Sequence, residues 1–232
     1  MSKYKYILFD ADNTLFDFDK CERAAFKAAL AFSPLDYSDS VYSDYHVIND
    51  GLWKLLEKGG IEREVLKSER FRLLFEKYGV TGIDSVKFAD KYESLLGEQS
   101  FEIDGVYDLL KRLSGKYDIY VITNGLTNVQ ESRFARSRMT SLVKDVYISE
   151  KVGYAKPDKR YFDFVVSHVG DPDLTKYIVV GDSLTSDIDG AINSGIDCCW
   201  YNRRAEIPEN KKPTYIIDDI LSVETVLEYG QN

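Results

Sequence analysis

Short β-rich runs alternate with helical patterns along most of this 232-residue chain, which leaves few folds open to it. Two of the runs, 5–9 and 177–180, are apolar almost throughout, as expected of strands that are covered on both faces. Strand and helix in alternation predict an α/β fold with a doubly wound parallel sheet. The expected strands are the runs 5–9, 117–122, 146–148, 177–180, 198–201 and 215–217.

One connection is far longer than a sheet of this kind requires. The run from Asp17 to Phe101 has 85 residues, whereas a crossover between parallel strands needs only about a dozen or more. Apolar residues recur at helical spacing within it in four stretches, 21–32, 41–58, 62–78 and 84–96. We therefore expect a core domain formed by residues 1–16 and 102–232, and an inserted four-helix-bundle domain over 17–101.

Charge and composition argue against several functional classes. The chain has 30 Lys+Arg against 39 Asp+Glu, a net charge of −9, which disfavours the basic surface that a nucleic-acid polymer requires. No run approaches the roughly 18 apolar residues of a membrane span, and the first residues hold no apolar signal core. The three cysteines fit neither a disulfide framework nor a zinc spacing. We expect a cytoplasmic monomer or homodimer with no membrane or nucleic-acid partner.

Four polar groupings stand where predicted strands end or predicted helices begin. Residues 10–14 follow the first strand, 123–125 follow the second, Lys156-Pro157 precede a helix, and 181–187 follow the strand at 177–180. Ligands of open α/β sheets bind outside the carboxyl ends of the strands, so groupings more than a hundred residues apart can meet. We therefore expect one composite site at this edge of the sheet.

Four residues of these groupings are acids, Asp10, Asp12, Asp182 and Asp187. Carboxylates brought together raise one another's pKa values unless a cation lies among them, and an all-oxygen donor set suits Mg²⁺. In an Asp-x-Asp pair after a strand, the first carboxylate can attack phosphorus as a nucleophile, and the second can give a proton to the leaving oxygen. A lysine and a threonine hydroxyl can then bind the phosphoryl oxygens.

In this order and context, the four groupings resemble the four motifs of the haloacid-dehalogenase-like (HAD) superfamily of phosphotransferases, over essentially the whole chain. The resemblance implies a Rossmann-like core, and it implies that the insertion is a cap of the first subclass, which closes over the site and selects the leaving group. It also implies roles for individual residues: Asp10 as nucleophile, Asp12 as general acid, and Thr123 and Lys156 as phosphate binders. The implied Mg²⁺ site consists of Asp10, the main-chain carbonyl of Asp12, Asp182, and Asp187, which ligates the metal or orients its waters. Asn124 is a further candidate for substrate binding.

Longer stretches, 10–19, 122–127, 148–157 and 186–195, look like the bacterial pyrimidine 5'-nucleotidase branch. That resemblance implies a phosphatase that acts through an aspartyl-phosphate intermediate on a small phosphate ester such as UMP, dUMP or dTMP. A sugar-phosphate or phosphoglycolate phosphatase, or a phosphomutase, stays open because the core motifs do not choose the leaving group.

Two further classes are disfavoured. A response-regulator receiver is roughly half this size and has its phosphorylated aspartate on a middle strand of the chain. A hydrolytic dehalogenase of the same superfamily normally has no acid at the second position, so Asp12 favours phosphate chemistry. Tyr45 and Trp53 are candidates for stacking on a base, although an aromatic residue in a helical bundle more often belongs to its core.

Overall fold

Six short strands form the sheet of this protein, which a computed structural model describes over residues 3–208 and 211–230. The strands are β1 (Tyr6–Asp10), β2 (Asp118–Thr123), β3 (Asp145–Ile148), β4 (Tyr177–Gly181), β5 (Asp197–Tyr201) and β6 (Tyr215–Ile217). Every pairing is parallel, and the spatial order is β3-β2-β1-β4-β5-β6. The predicted α/β class with a doubly wound parallel sheet is confirmed.

Strand β1 lies in the middle of the sheet, and all of its residues are buried. Asp10 is paired with Ile122 of β2 on one side, and Phe9 is paired with Val180 of β4 on the other. The chain continues outward from β1 to β2 and β3, then returns to place β4 on the opposite side of β1. The strand order therefore reverses between β1 and β4, where open α/β sheets form their ligand crevice.

Alternation along β1 divides the core between the two faces of the sheet. Ile7 and Phe9 belong to one buried cluster, which Leu109 also joins, and Leu8 belongs to a second cluster together with Phe162. The helices of this unit are α5 (Val106–Leu113), α6 (Thr127–Arg136), α7 (Ser149–Val152), α8 (Lys159–Val169), α9 (Asp189–Ser194) and α10 (Val223–Tyr229). Within 3–208 and 211–230, no helix combines the length and the apolar content that a membrane crossing needs.

The chain divides into two compact units, one formed by Met1–Phe18 with Ser100–Asn232 and the other by Asp19–Gln99. Residues 1–2, 209–210 and 231–232 of the expected core lie outside the described residues. The helices of the inserted region are α1 (Phe18–Leu30), α2 (Asp39–Glu57), α3 (Arg63–Lys77) and α4 (Ser85–Gly97). Asp84 caps α4 by accepting hydrogen bonds from the amides of the first turn. We refer to Asp19–Gln99 as the helical unit; its role as a cap stays a prediction.

The interior of the helical unit is aromatic. The ring of Tyr45 is completely buried and is stacked on Phe26 at 4.3 Å and on Phe71 at 5.5 Å between centroids. Edge contacts with Tyr92 close the cluster. Tyr45 is therefore a core residue, since both faces of its ring are occupied by neighbouring side chains.

A buried carboxylate adds a polar network to this unit. Glu22 is completely buried and accepts hydrogen bonds from Tyr42 Oη at 3.1 Å and Asn49 Nδ2 at 2.8 Å. The ring of His46 lies 2.8 Å from the same carboxylate through Nδ1, and 42% of its side chain is exposed. Burying a charge is costly unless hydrogen bonds or an opposite charge offset it, which these partners do.

The segments that leave and rejoin the sheet unit run side by side. Asp17 N donates to Phe101 O at 2.8 Å, and Ile103 N donates to Leu15 O at 3.0 Å. Phe16 also forms an antiparallel bridge with Glu102. The two ends of the inserted region are thus fastened to each other by main-chain hydrogen bonds.

Candidate active site

The four polar groupings meet at the carboxyl edge of the sheet. Asp10 is the last residue of β1, Thr123 is the last residue of β2, and Asp182 directly follows β4. Because β2 and β4 flank β1 in parallel, these three ends lie next to each other. Lys156 comes from the loop before α8 and is 2% exposed.

Lys156 lies among the acids. Its Nζ atom donates to Asp10 Oδ1 at 2.6 Å and to Asp187 Oδ1 at 2.6 Å. A third hydrogen bond goes to the carbonyl of Ile122 at 3.0 Å. Burial alone lowers the pKa of Lys156, but the charges of Asp10 and Asp187 outweigh it and raise that pKa above its ordinary value. The lysine is therefore a fixed positive charge inside the site.

The two carboxylates bound by this lysine form a group with a third, Asp182. One oxygen each from Asp10, Asp182 and Asp187 lies within 4.8 Å of the others. The pKa of Asp10 is raised well above its usual range, and burial is the largest cause. Lys156 lowers this pKa, whereas the neighbouring acids raise it further. Burial and Asp187 likewise raise the pKa of Asp182 to about 7. One lysine thus does not compensate the negative charge that is gathered here.

The donor set fits Mg²⁺. The group offers only oxygens, which are the ligands that hard divalent cations prefer. Burial, and then repulsion between the acids, raises the pKa values of Asp10 and Asp182, and a cation among them would favour their ionised forms. Asp10, Asp182 and Asp187 are the residues that would hold the ion through side chains. The expected contribution of the Asp12 main-chain carbonyl stays a prediction.

Local backbone geometry explains how Asp187 reaches the site. The chain after β4 forms a single turn of π-helix over Leu184–Ile188, and the hydroxyl of Ser183 caps it by accepting from Ser186 N at 3.2 Å. Asp187 Oδ2 accepts from Ser183 N at 3.1 Å. A Cβ atom at Gly181 would lie 2.3 Å from that same oxygen, so this approach requires glycine.

Thr123 and Asn124 shape the neighbouring turn. The hydroxyl of Thr123 accepts from Gly125 N at 3.0 Å, and Thr123 N donates to Tyr161 Oη at 3.1 Å. Asn124 donates through Nδ2 to Lys156 O at 2.8 Å and accepts from Lys156 N at 2.9 Å. The side chain of Asn124 therefore fixes the main chain of the catalytic lysine candidate, while a contact with substrate stays a prediction.

The carboxylate of Asp12 is held by residues of α6. Its Oδ1 forms an ion pair with Arg133 Nη1, and its Oδ2 accepts from Gln130 Nε2 at 2.7 Å. Sequence reasoning missed both partners, since they belong to no motif. The two residues are three apart on α6, four and seven residues after Leu126. This spacing is the signal that could have found them, because it places both on one helix face.

The arrangement combines two differently held carboxylates with a buried cation. Asp10 is held by Lys156 within the acid cluster, and Asp12 is held by α6 and has 25% of its side chain exposed. A nucleophile and a proton donor placed two residues apart in this way, with a lysine to neutralise transferred charge, suit group transfer to Asp10.

Comparison with known proteins agrees with this geometry. The family model for haloacid dehalogenase-like hydrolases matches residues 4–195. The chain is 36% identical to the pyrimidine 5'-nucleotidase PynA of Streptococcus pneumoniae, over 97% of this chain and 94% of that protein. It is 32% identical to the pyrimidine 5'-nucleotidase YjjG of Escherichia coli, over 97% and 98% of the two chains.

A solved structure extends the likeness to three dimensions. The HAD hydrolase YfnB of Bacillus subtilis, in a crystal structure bound to magnesium, superposes with a TM-score of 0.91 at 32% identity. The superposition covers 97% of this chain and 99% of that one. The predicted enzyme class, a phosphatase of the HAD superfamily, is confirmed. This chain belongs to the haloacid dehalogenase-like hydrolases.

Proposed function

We propose that this protein is a Mg²⁺-dependent phosphomonoesterase that acts through an aspartyl-phosphate at Asp10 and prefers pyrimidine nucleoside 5'-monophosphates. The observation that carries the chemistry is the grouping of Asp10, Asp182 and Asp187, two of which, Asp10 and Asp187, are bound by the buried amine of Lys156. The relatives that hydrolyse pyrimidine nucleotides support the substrate, and the relative crystallised with magnesium supports the metal.

The proposed reaction has two half-reactions. A carboxylate oxygen of Asp10 attacks phosphorus, the bond from phosphorus to the ester oxygen breaks, and the proton of the Asp12 carboxyl passes to that oxygen, which leaves as the alcohol. Water then attacks the phosphorus of the aspartyl-phosphate and gives a proton back to Asp12, which releases inorganic phosphate and regenerates Asp10. Bound Mg²⁺ would supply additional positive charge to the phosphoryl oxygens.

Lys156 is suited to stabilise the charge of the transferring group. Its amine is 2.6 Å from the proposed nucleophile, and its raised pKa keeps it protonated across the physiological range. Thr123 ends the neighbouring strand, and its hydroxyl accepts a hydrogen bond from Gly125 N in the turn that follows. We assign phosphoryl binding to Lys156, which contacts Asp10, and to Thr123, which ends the strand that pairs with the strand of Asp10.

The leaving group must be selected by other residues, because the groups described at the sheet edge act on the phosphoryl group and the ester oxygen and not on the rest of the alcohol. We assign this selection to the inserted helical unit, Asp19–Gln99, as its cap role would require. Tyr45 is an unsuitable stacking residue, because its ring is buried between Phe26 and Phe71. Trp53 is partly exposed and stays a candidate. Cytoplasmic location, and a monomeric or dimeric state, stay predictions.

A substrate panel tests the proposal. The measurement is kcat/KM for UMP, dUMP, dTMP, AMP, glucose 6-phosphate and phosphoglycolate at one fixed Mg²⁺ concentration. We expect the uracil and thymine nucleotides to lead by at least about tenfold, which corresponds to about 1.4 kcal/mol of transition-state discrimination. An Asp10→Asn preparation purified in parallel serves as the control for contaminating phosphatases. A lead of the same size for glucose 6-phosphate or phosphoglycolate would reject the nucleotidase proposal and favour the sugar-phosphate or phosphoglycolate alternative.

A further inference from the structure

Both oxygens of the Asp12 carboxylate are held by residues of α6. Arg133 Nη1 donates to Oδ1, and Gln130 Nε2 donates to Oδ2 at 2.7 Å. Arg133 is completely buried and Gln130 is 1% exposed, so bulk water does not compete for either donor. A carboxylate bound through both oxygens has a defined orientation, and a guanidinium provides one of the strongest partners for it.

The guanidinium of Arg133 is itself held in place by two rings. Its Cζ atom lies 5.1 Å from the centroid of Phe16 and 5.8 Å from that of Phe18. The main chain connects the same parts, because Asp12 forms a bridge with Phe16. An arginine satisfies this environment better than a lysine would, since its planar charge can lie against aromatic rings while its N–H groups point at a carboxylate.

The turn after β2 is fitted to the other donor. A Cβ atom at Gly125 would lie 2.2 Å from Nε2 of Gln130, so the main chain passes directly over the amide. Gly125 is the residue whose amide binds the hydroxyl of Thr123. The amide that holds Asp12 is therefore packed against the turn that shapes the phosphoryl-binding edge.

We infer that Arg133 and Gln130 are positioning residues that set the place at which Asp12 exchanges its proton with the leaving oxygen. This inference rests on the proposed function, in which Asp12 is the general acid. The side chains that hold Asp12 come from α6, whereas Asp10 and Asp187 are held by Lys156, so different donors orient the two groups. Loss of either donor should slow those substrates whose leaving oxygen needs a proton and spare those whose leaving oxygen does not.

Two substrates separate this role from a structural one. The phenolate of p-nitrophenyl phosphate departs without a proton, whereas the 5'-alkoxide of dTMP requires one. The kcat/KM value reports the steps up to phosphoryl transfer to Asp10, so it excludes the later hydrolysis of the phosphoenzyme. Since general acid catalysis contributes about 10²–10⁴-fold, we expect Arg133→Lys and Gln130→Met to lower kcat/KM for dTMP by roughly tenfold or more. We expect the value for p-nitrophenyl phosphate to stay within about threefold.

Matched variants keep the test decisive. Arg136→Lys changes an exposed arginine of the same helix and should leave both kcat/KM values unchanged. Gln130→Met retains the shape of the side chain and the Arg133 ion pair, so it supplies the answer if Arg133→Lys does not fold. Phe18→Leu removes one of the two rings and should give the same substrate-selective loss in weaker form. A parallel loss on both substrates, or no loss on either, in folded Gln130→Met would overturn the inference.

The test of the positioning role remains valid even if the nucleotidase proposal fails. If the wild-type protein hydrolyses p-nitrophenyl phosphate and a sugar phosphate or phosphoglycolate but not dTMP, then the substrate assignment is rejected. The ratio of kcat/KM values is then taken with that alkyl ester in place of dTMP. A selective loss on the alkyl ester still supports the positioning role, and a parallel loss still overturns it.

Discussion

Gly181 and Asp187 approach each other so closely that a Cβ atom on the glycine would lie 2.4 Å from the carboxylate carbon of the aspartate. Asp187 belongs to the π-helical turn after β4 and folds back over the strand end to reach Lys156. A missing side chain on one strand residue thus determines where a candidate metal ligand lies.

Gly181→Ala should displace the Asp187 carboxylate. We expect Mg²⁺ affinity, measured by isothermal titration calorimetry, to fall by about tenfold or more, and stability to fall by about 1–3 kcal/mol through overpacking. Gly115→Ala is the matched control, because a Cβ atom there meets nothing within 4 Å. Equal Mg²⁺ affinities in the two variants would show that Asp187 does not need this close approach.

Asp10→Asn should remove turnover and keep the fold. An amide cannot form the phosphoenzyme, so we expect kcat to drop by about 10⁴-fold or more. Folding raises the pKa of Asp10, so at neutral pH the ionised carboxylate lowers the free energy of unfolding. The melting temperature of Asp10→Asn without metal should therefore equal or exceed that of the wild type. Substantial activity in a clean preparation would exclude the covalent route.

Removal of divalent ions should abolish activity. Three carboxylates with one buried lysine leave the site with excess negative charge, which repels a phosphate ester. We expect no turnover in excess EDTA and full recovery when Mg²⁺ is supplied beyond the chelator. A thermal shift on Mg²⁺ addition, absent in Asp187→Asn, would report binding independently of turnover. Full activity in EDTA would instead indicate metal-independent chemistry of the dehalogenase kind.

Lys156 variants test the need for a compact charge. The amine occupies a pocket with three acceptors within 3.0 Å and is 2% exposed. Lys156→Ala leaves buried carboxylates without their cation, so we expect a loss of about 3–5 kcal/mol in stability and a large loss of kcat. Lys156→Arg should recover only part of both, because a planar guanidinium is larger than an ammonium group. Urea unfolding measures the stability, and initial rates measure kcat. Full recovery of both in Lys156→Arg would contradict this prediction.

His46 should make the stability of the helical unit depend on pH. Its hydrogen bond to Glu22, against the opposing effect of burial, raises the pKa of His46 above its ordinary value, and Asp19 and Asp50 add to the increase. A raised folded-state pKa means that the stabilisation is complete below the unfolded pKa of about 6.5 and is lost as pH rises through the folded value. Urea unfolding at about pH 5 and about pH 8 should show a larger deficit for His46→Gln at the lower pH. A deficit that is equal at both pH values would exclude this linkage.

The sequence alone predicted the features that depend on local pattern. The four expected helical stretches of the insertion correspond to α1–α4, because their apolar residues recur on one face and their ends coincide with proline or glycine. The strand-end residues Asp10, Thr123 and Asp182 follow from apolar runs that stop at polar residues.

Features that depend on contacts distant in sequence could not be predicted in this way. Arg133 and Asp12 are 121 residues apart, and no motif connects them. The two hydrogen bonds between Asn124 and the main chain of Lys156 likewise form only after the sheet has assembled. Glu22 is a charged residue inside an amphipathic helix, where pattern alone favours solvent, yet partners from α2 keep it buried.

The paired segments at Leu15–Asp17 and 101–103 also bear on how such a chain can evolve. Asp17 and Phe101 are joined by a main-chain hydrogen bond, so the insertion is a loop whose two ends are held together within the sheet unit. Each doubling of a loop's length adds only about 0.6 kcal/mol of closure entropy once its ends are together. Insertions of different length and sequence can therefore replace one another at this junction with little entropic cost to folding. The strands that end at or just before Asp10 and Asp182 keep their places.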